Sequence, residues 1–261
     1  MNYDTPPQSI FVTGAGRGIG RAVALDLARS TNASLVLVSR SDNCLAVASE
    51  CNALRTDAAR GMPCDLALPG AARDQLFEAI NAANGPIAIV HAASTLGPTG
   101  AFAEQPIDEC WSAIETNLGS TVRLVHAALP RLIRERSGRV VLFGGGGAAY
   151  GYPNFMSYAL TKVALVRFVE TLAMELGDEG AAITIIAPGA NDTDMLAEVR
   201  RAGGIVKTTV SMDEPCRLVR RLLLEDARGL HGRFVHVRDI WTAESARELP
   251  TDHWKLRRVE K

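Results

Sequence analysis

The sequence predicts a single α/β domain built on a doubly wound parallel sheet. Short apolar segments alternate along the chain with longer segments whose apolar residues recur at helical spacing. The short segments are continuous runs of Val, Ile and Leu, which is typical of strands covered by helices on both faces. No linker-like stretch, repeat or low-complexity tract divides the 261 residues. Ligands of such folds bind beyond the carboxyl ends of the strands, so the residues after each strand carry the functional information.

Seven segments are predicted as strands and four as helices. The strands are Ser9–Thr13, Ser34–Ser39, Gly61–Asp65, Pro86–Ser94, Gly138–Gly144, Ala182–Gly189 and Gly232–Val237. The helices are Gly20–Ser30, Asp108–Ile133 with Pro130 as a potential kink, Phe155–Gly177 and Asp213–Leu224. Residues 1–238 are assigned to the sheet domain. Residues 239–261 follow the last strand and are expected to dock on that domain or on a partner subunit.

The composition argues against several classes of protein. Hydrophobic residues make up 47% of the chain and the net charge is −1, so no nucleic acid and no membrane is predicted as a partner. The five cysteines form no C-x-x-C pair, which argues against a disulfide framework and a metal site. No segment has the pattern of a signal peptide or a membrane span. We therefore expect a cytoplasmic protein with reduced thiols and no metal.

The first predicted strand leads directly into a glycine-rich turn, TGAGRGIGRAV, that opens a helix. Glycine lets the backbone approach a pyrophosphate, and the helix N-terminus offers free N–H groups and a positive dipole end. This strand-turn-helix context is far more specific than glycine spacing alone. It predicts a dinucleotide site in a Rossmann fold, with a purely structural turn as the alternative. The residues assigned to the site are Gly14, Gly16, Arg17, Gly18, Ile19 and Gly20.

The end of the second strand indicates which dinucleotide is bound. An acidic residue there would bind the ribose of NAD, but the chain has Ser39 and Arg40. Together with Arg17, Arg40 suits a 2′-phosphate, so NADP(H) is the preferred cofactor. Asp42 lies close enough to keep NAD(H) possible. Asp65, after the third strand, is assigned to the adenine amino group, with a helix cap as the alternative.

Four motifs of the chain together resemble those of the short-chain dehydrogenases/reductases. They are the glycine turn TGAGRGIG (Thr13–Gly20), Asn117 within ETNLGS, YALTK (Tyr158–Lys162) and APGANDTDM (Ala187–Met195). The resemblance covers about Ser9 to Val237, and it is specific for the family rather than for one substrate. It implies hydride transfer between a nicotinamide dinucleotide and a small carbonyl or alcohol. It also implies a homodimer or homotetramer built around the two long helices.

The resemblance assigns roles to individual residues. Tyr158 matches the general acid/base, and Lys162 lies one helical turn away on the same face. A free tyrosine has a pKa of ~10, and a neighbouring ammonium favours its phenolate. Lys162 is also expected to hold the nicotinamide ribose, and Asn117 to position a water behind it. The remaining residues assigned to the cofactor are Ala92, Pro188, Gly189 and Thr193.

The chain departs from the family at two places. The family's catalytic serine, thirteen residues before the tyrosine, is replaced by Gly145, and the usual Asn-Asn-Ala-Gly is His91–Ser94. His91 is expected to make a local hydrogen bond. Loss of one oxyanion donor costs about 2.7–4 kcal/mol, whereas enzymes lower barriers by roughly 8–23 kcal/mol. Turnover is therefore expected to survive, with a substitute donor from Ser94, Thr95, Tyr150, Tyr152, the Gly145 N–H or a water.

Two functions remain open at this stage. The first is an NADP(H)-dependent oxidoreductase with Tyr158 as general acid/base and Gly145 in place of the serine. The second is a catalytically impaired NADP(H)-binding module that acts as a redox sensor or scaffold. The run Gly144–Gly147 is expected to clear space for a bulky or polar substrate, such as a sugar derivative. Substrate recognition is placed in Ala190–Val210 and in loops that vary freely in such folds.

Overall fold

A computed structural model describes residue 3 and residues 5–206 and 209–257 of the chain. Within them, seven parallel strands form one sheet in the order β3-β2-β1-β4-β5-β6-β7. The predicted single domain with a doubly wound parallel sheet is confirmed. The strands are β1 Ser9–Thr13, β2 Ser34–Ser39, β3 Ala59–Pro63, β4 Ile87–His91, β5 Arg139–Phe143, β6 Ala182–Ala187 and β7 Phe234–His236.

Helices cover both faces of the sheet. They are α1 Gly18–Ser30, α2 Asn43–Leu54, α3 Ala71–Ala82, α4 Ile107–Ile114, α5 Ser120–Glu135, α6 Met156–Leu176, α7 Asp194–Arg201, α8 Asp213–Leu224 and α9 Ala243–Arg247. Side chains of β1 alternate between the two layers: Ile10 and Val12 pack with α1, α2 and α8, whereas Phe11 packs with α3, α5 and α6. This two-sided burial accounts for the continuous apolar runs in the sequence.

Strand β1 lies inside the sheet, between β2 and β4. The chain moves outward from β1 to β3, returns, and continues from β4 on the other side. The strand order therefore reverses between β1 and β4, which is where ligands bind in open α/β sheets. The glycine-rich turn that follows Thr13 lies at this point.

The helix expected over Asp108–Ile133 is interrupted. α4 and α5 are joined by one π-helical turn, Glu115–Gly119, closed by a hydrogen bond from the Ser120 N–H to the Glu115 carbonyl. Asn117 lies within this turn and is buried. Single π turns inside helices are frequent at functional sites, because the extra residue changes the direction in which side chains point. Pro130 lies inside α5 without ending it.

The third strand was misplaced by two residues. It was expected over Gly61–Asp65 and runs instead from Ala59 to Pro63, paired with Leu35–Ser39. β3 is the edge strand, and its residues are partly or fully exposed along its length. It therefore lacks the continuous apolar run that fixes the bounds of central strands. Four helices, α2, α3, α7 and α9, lie outside the segments predicted as helical.

Residues beyond β7 pack on the same chain. Trp241 is buried in the apolar cluster that includes α8. The Trp254 carbonyl accepts a hydrogen bond from the Phe234 N–H at 2.8 Å, beside the otherwise free edge of β7. Residues 258–261 of the predicted extension lie outside the described residues. The division of the chain after residue 238 stays a prediction.

Three structural properties bear on the expectations about membrane spans, disulfides and metal sites. No helix in the described part of the chain is long and apolar enough to cross a membrane. All five cysteines are buried, unpaired thiols. Among the described residues, no group of three or more His, Cys, Asp or Glu side chains is arranged to hold a metal ion.

Candidate active site

A large cavity opens at the carboxyl ends of the central strands, with a volume of about 1960 Å³. Ligand pockets usually measure roughly 300–1,000 Å³, so this cavity has room for a dinucleotide and a second molecule. Tyr158, Lys162 and every residue predicted to bind the cofactor line it. Asn117 does not line it and lies behind its wall. The structure thus brings the predicted residues together from turns that are distant in the sequence.

The geometry of the first turn requires glycine at two positions. Gly14 has a φ of +68°, and a Cβ there would lie 2.6 Å from the Ala93 nitrogen. A Cβ on Gly20 would lie 2.2 Å from the Gly14 carbonyl oxygen. Arg17 is the N-cap of α1, and its side chain makes no capping hydrogen bond. The first N–H groups of α1, starting at Gly18, are therefore not capped by a side chain, which fits a pyrophosphate.

Ser39 and Arg40, at the end of β2, have different environments. The Ser39 hydroxyl donates to the Ser41 carbonyl at 2.6 Å and accepts from the Cys44 N–H at 3.1 Å. Ser39 therefore stabilises the turn into α2. Arg40 is exposed at the rim of the cavity. Its guanidinium is in a position to meet a charged group that enters from solvent.

Arg17 has a partner that the sequence did not indicate. Its guanidinium lies 3.2 Å from the Asp194 carboxylate, and both side chains are largely exposed. Asp194 is the first residue of α7, which the glycine turn also meets through Thr193. This ion pair joins the two sides of the cavity over the start of α1. No local pattern in the sequence links the two residues.

Asp65 and Ala92 lie on the cavity wall and make backbone contacts. The Asp65 carboxylate accepts a hydrogen bond from the Ala67 N–H at 3.0 Å, so it caps a turn rather than a helix. The Ala92 N–H donates to the Thr13 carbonyl at 3.1 Å, which ties β4 to the start of the glycine turn.

The segment after β6 is held by its own hydrogen bonds. Gly189 has a φ of +71°, and a Cβ there would lie 2.6 Å from Val210. Thr193 is the N-cap of α7, and its hydroxyl accepts a hydrogen bond from the Leu196 N–H at 3.3 Å. Pro188, Gly189 and Thr193 therefore form a fixed edge of the cavity. Lys207 and Thr208, within the predicted recognition segment, lie outside the described residues.

Tyr158 and Lys162 lie together on the first turns of α6. The Lys162 ammonium donates to the Phe143 carbonyl at 2.9 Å and lies 5.4 Å from the centroid of the Tyr158 ring. Burial lowers the pKa of Lys162 to about 8. Burial raises the pKa of Tyr158 above its ordinary value, and the nearby Tyr152 raises it further. The expected lowering of the tyrosine pKa is thus absent, because burial is the largest influence on it in this structure.

Asn117 holds the loop after β4 against α6. Its side-chain N–H groups donate to the Thr95 carbonyl at 2.8 Å and to the Thr161 hydroxyl at 3.2 Å. Its oxygen accepts from the Thr95 N–H at 2.8 Å and from the Ser94 hydroxyl at 3.1 Å. The amide is fully satisfied by these four bonds. Thr161 precedes Lys162, so Asn117 positions the helix segment that carries the lysine.

His91 makes local hydrogen bonds, as expected. Its Nδ1 lies 2.7 Å from the Thr13 hydroxyl and its Nε2 lies 2.8 Å from the Thr121 hydroxyl. Thr121 donates its hydrogen to the Asn117 carbonyl at 2.7 Å, so His91 Nε2 must be the donor to Thr121. Burial and the charge of Lys162 lower the pKa of His91 to about 3, which keeps the ring neutral.

Two of the four consecutive glycines leave room for aromatic side chains. A Cβ on Gly144 would lie 2.7 Å from the ring of Phe234 on β7. A Cβ on Gly145 would lie 2.6 Å from the Tyr158 hydroxyl, and the φ of Gly145 is +157°, which residues with a side chain rarely adopt. The Tyr158 hydroxyl therefore occupies the volume that a serine at this position would need.

The other two glycines differ from each other. Gly147 allows α6 to approach, because a Cβ there would lie 2.9 Å from the Ala159 Cα. A Cβ on Gly146 would meet nothing within 4 Å. The expectation that the glycine run clears space for a substrate is wrong for three of its four members.

Tyr158 packs against an apolar cluster. Tyr158 packs there with residues from the loop after β4, the segment before α6 and the region of α7. The other members are Leu96, Tyr152, Phe155, Met195, Val199, Ala202 and Val206. A substrate that reaches the Tyr158 hydroxyl therefore contacts apolar side chains.

Comparisons with known proteins agree with this geometry. A family model described as short chain dehydrogenase matches residues 8–203. The short-chain reductase protein NovJ of Streptomyces niveus is 33% identical over 206 residues, which cover 74% of this chain and 73% of NovJ. The 3-oxoacyl-(acyl-carrier-protein) reductase FabG of Escherichia coli K12 is 28% identical, with coverage of 91% and 97%.

Solved structures give the same result. A short chain dehydrogenase of Shigella flexneri 2a strain 301, complexed with NADP, has a TM-score of 0.81 at 25% identity and covers 91% of this chain and 100% of its own. One from Escherichia coli CFT073, complexed with NADPH, has a TM-score of 0.80 at 25% identity, with coverage of 92% and 100%. The chain belongs to the short-chain dehydrogenase family of oxidoreductases.

Proposed function

We propose that this protein is an NADP(H)-dependent oxidoreductase that interconverts a carbonyl and an alcohol, with Tyr158 as the general acid/base. One observation carries the proposal: Tyr158 and Lys162 face the same cavity as the uncapped glycine turn, with the ammonium 5.4 Å from the phenol ring. Proton transfer and cofactor binding would thus share one site. Residues 1–238 form the catalytic domain in this proposal, and residues 239–261 an extension docked on it or on a partner.

The cofactor residues support NADP(H). Two relatives of known structure are complexed with NADP or NADPH. In this chain, Arg40 is exposed at the rim of the cavity beyond β2, where a 2′-phosphate would lie, and Arg17 lies in the glycine turn. Arginine binds phosphate through paired hydrogen bonds. NAD(H) is the alternative cofactor. The bound nicotinamide would supply or accept the hydride, and Pro188, Gly189 and Thr193 would hold its amide.

The raised pKa of Tyr158 suits the phenol to act as a general acid. A phenol that stays protonated at neutral pH can deliver its proton to the oxygen of a carbonyl as the carbon gains a hydride. Lys162, fixed by the Phe143 carbonyl, would then stabilise the phenolate that remains. Asn117 would hold the lysine-bearing helix in place through its side chain, and its main-chain carbonyl would order a water behind the lysine.

The substrate site is apolar near the reacting group. The apolar cluster around Tyr158 suits a carbonyl compound with an aliphatic or aromatic substituent. Several relatives are named 3-oxoacyl-(acyl-carrier-protein) reductases. A 3-oxoacyl thioester is therefore the first substrate to test.

Assembly as a homodimer or homotetramer is part of the proposal. Large apolar side chains are exposed on the neighbouring helices α4, α5 and α6, and they include Trp111, Val122, Leu160 and Val163. Exposed apolar surface of this extent is typical of protein–protein contacts. A cytoplasmic location is proposed from the reduced thiols.

The test is NADPH oxidation with a panel of carbonyl compounds that includes 3-oxoacyl thioesters. Wild-type turnover should fall by about 10²–10⁴-fold in Tyr158→Phe, which removes only the proton donor. NADPH binding, followed by fluorescence, should be unchanged in this variant. Equal rates in both proteins would contradict the proposal.

The second candidate is a nucleotide-binding module without turnover, which acts as a redox sensor or scaffold. The observation in its favour is Gly145, whose missing side chain removes the family's usual donor to the carbonyl. NADPH binding without oxidation, over the whole substrate panel, would favour this candidate.

A further inference from the structure

A carbonyl oxygen has two lone pairs and can accept two hydrogen bonds. The site as described supplies one donor, the Tyr158 phenol. Gly145 has no side chain, and the Tyr158 hydroxyl fills the place of its Cβ. A second donor can come from the Gly145 N–H, from a water or from another side chain at the cavity. The inference that follows rests on the carbonyl reduction proposed above.

Tyr152 lies on a rigid turn that leads into α6. The Phe155 N–H donates to the Tyr152 carbonyl at 3.2 Å, and Asn154, between them, has a φ of +69°. Proline at the second position and a positive φ at the third are the features of a type II turn, and the sequence has Pro153 at the second position. Because α6 begins directly after this turn, Tyr152 is held at a fixed place relative to Tyr158.

Ring packing fixes the orientation of Tyr152. Its ring stacks on Phe155 with centroids 4.6 Å apart and an interplanar angle of 24°, and Phe155 is fully buried. The Tyr152 ring lies 6.4 Å from the Tyr158 ring, and both residues line the cavity. The Tyr152 hydroxyl has no hydrogen-bond partner among the residues that the structure describes. A half-buried phenol thus lies next to the general acid at the cavity, with the two rings tilted by 54°.

The other hydroxyls near the site are less suited to this role. The Ser94 hydroxyl donates its hydrogen to the Asn117 side chain at 3.1 Å. The Thr95 hydroxyl is turned toward its own loop, where it accepts from the Gly97 N–H at 3.3 Å. Tyr150 is 80% exposed, so its hydroxyl is solvated.

We propose that Tyr152 is a second catalytic phenol, which donates a hydrogen bond to the substrate carbonyl oxygen while Tyr158 delivers the proton. The carbonyl carbon gains the hydride from the reduced dinucleotide, the C=O π bond breaks, and the oxygen takes the Tyr158 proton. Tyr152 keeps its own proton throughout. Its hydrogen bond strengthens as negative charge develops on the oxygen, which lowers the barrier to hydride transfer.

The electrostatics of Tyr152 agree with this role. Burial raises the pKa of Tyr152 above its ordinary value, so the phenol stays protonated over the neutral range and remains a donor. Tyr152 also raises the pKa of Tyr158, in addition to the larger effect of burial. Both phenols are therefore neutral before the reaction.

The test is steady-state kinetics of Tyr152→Phe with NADPH and an accepted carbonyl substrate. This change removes only the hydroxyl and keeps the stacking on Phe155. The expected result is a fall in kcat of about 10²-fold with little change in KM, because the hydrogen bond is strongest in the transition state. NADPH affinity and the urea midpoint of unfolding should equal those of the wild type.

Tyr150→Phe removes the same group from an exposed position in the same loop, and a fall in kcat there, with none in Tyr152→Phe, would overturn this inference and assign the second donor to Tyr150. A normal kcat in Tyr152→Phe, with Tyr158→Phe inactive, would overturn this inference alone. A lower kcat in Thr95→Val, with none of that loss in Tyr152→Phe, would overturn it too and would assign the second donor to Thr95. A wild-type protein without any carbonyl reduction would overturn the proposed function as well.

Discussion

Two glycine-rich turns follow central strands of the sheet, and they contain glycine for different reasons. In the first, after β1, backbone packs on backbone: a Cβ on Gly14 or Gly20 would meet main-chain atoms at 2.6 and 2.2 Å. In the second, after β5, aromatic groups fill the missing side-chain volume. Phe234 lies against Gly144, and the Tyr158 hydroxyl lies against Gly145.

The difference shows which of the two turns can accept a larger side chain. Backbone atoms in the first turn cannot move without displacing strands β1 and β4. Side chains in the second turn can rotate or be replaced together. The first turn is therefore the more constrained of the two, whereas Gly144 and Gly145 in the second turn make room for aromatic side chains.

The largest loss of stability is expected from a substitution at Gly14. Gly14→Ala forces a side chain into a left-handed backbone conformation and against Ala93, so the free energy of unfolding should fall by about 3 kcal/mol or more. Gly146→Ala is the matched change in the second turn and should cost less than about 0.5 kcal/mol. Urea unfolding of both variants checks the comparison. Equal losses would show that the two turns are equally constrained.

A smaller loss of stability is expected when Gly145 is replaced by serine. Gly145→Ser places a Cβ 2.6 Å from the Tyr158 hydroxyl, so the phenol must move from its present position. Overpacking of this kind costs about 1–3 kcal/mol, and kcat/KM should fall at least about tenfold. The measurement is carbonyl reduction by Gly145→Ser beside Gly146→Ser. An increase in kcat/KM in the first variant would contradict the packing described for this turn.

Beside the first turn, His91 at the end of β4 joins Thr13 at the end of β1 to Thr121 on α5. Folding lowers the pKa of His91 from 6.5 to about 3, so only the unfolded chain binds this proton between those values. Stability should thus be lost as the pH falls below 6.5, by about 2 kcal/mol at pH 5. His91→Asn should show a smaller loss over the same range. Denaturant unfolding at pH 7 and pH 5 tests this, and parallel losses in both proteins would exclude the effect.

The smallest effect is a change in NADPH affinity, and it is expected at the ion pair beside the first turn. Asp194→Asn breaks the exposed ion pair with Arg17 and leaves the guanidinium free to meet a 2′-phosphate. Exposed pairs contribute at most about 1 kcal/mol, so NADPH should bind at most about fivefold more tightly, while NADH binding stays the same. Fluorescence titration with both dinucleotides measures this. Equal gains for the two would remove Arg17 from 2′-phosphate recognition.

The sequence predicted features that depend on local pattern. The central strands, the glycine turn and the Tyr158–Lys162 pair all follow from short-range periodicity and spacing. The edge strand β3 was misplaced because partial exposure weakens its apolar signal. The contact between Gly144 and Phe234 joins distant parts of the chain, so no local pattern could reveal it. The raised pKa of Tyr158 likewise depends on burial that only the packed structure defines.

The most direct test of the account follows the hydride itself. NADPH deuterated at C4 of the nicotinamide would be incubated with an accepted ketone and either wild-type protein or Tyr158→Phe, with the alcohol analysed by mass spectrometry. The account predicts an alcohol with one deuterium on the carbinol carbon from the wild type, and about 10²-fold less or lower from Tyr158→Phe. Equal labelling by the two proteins, or bound NADPH that transfers no deuterium in the wild type, would contradict it.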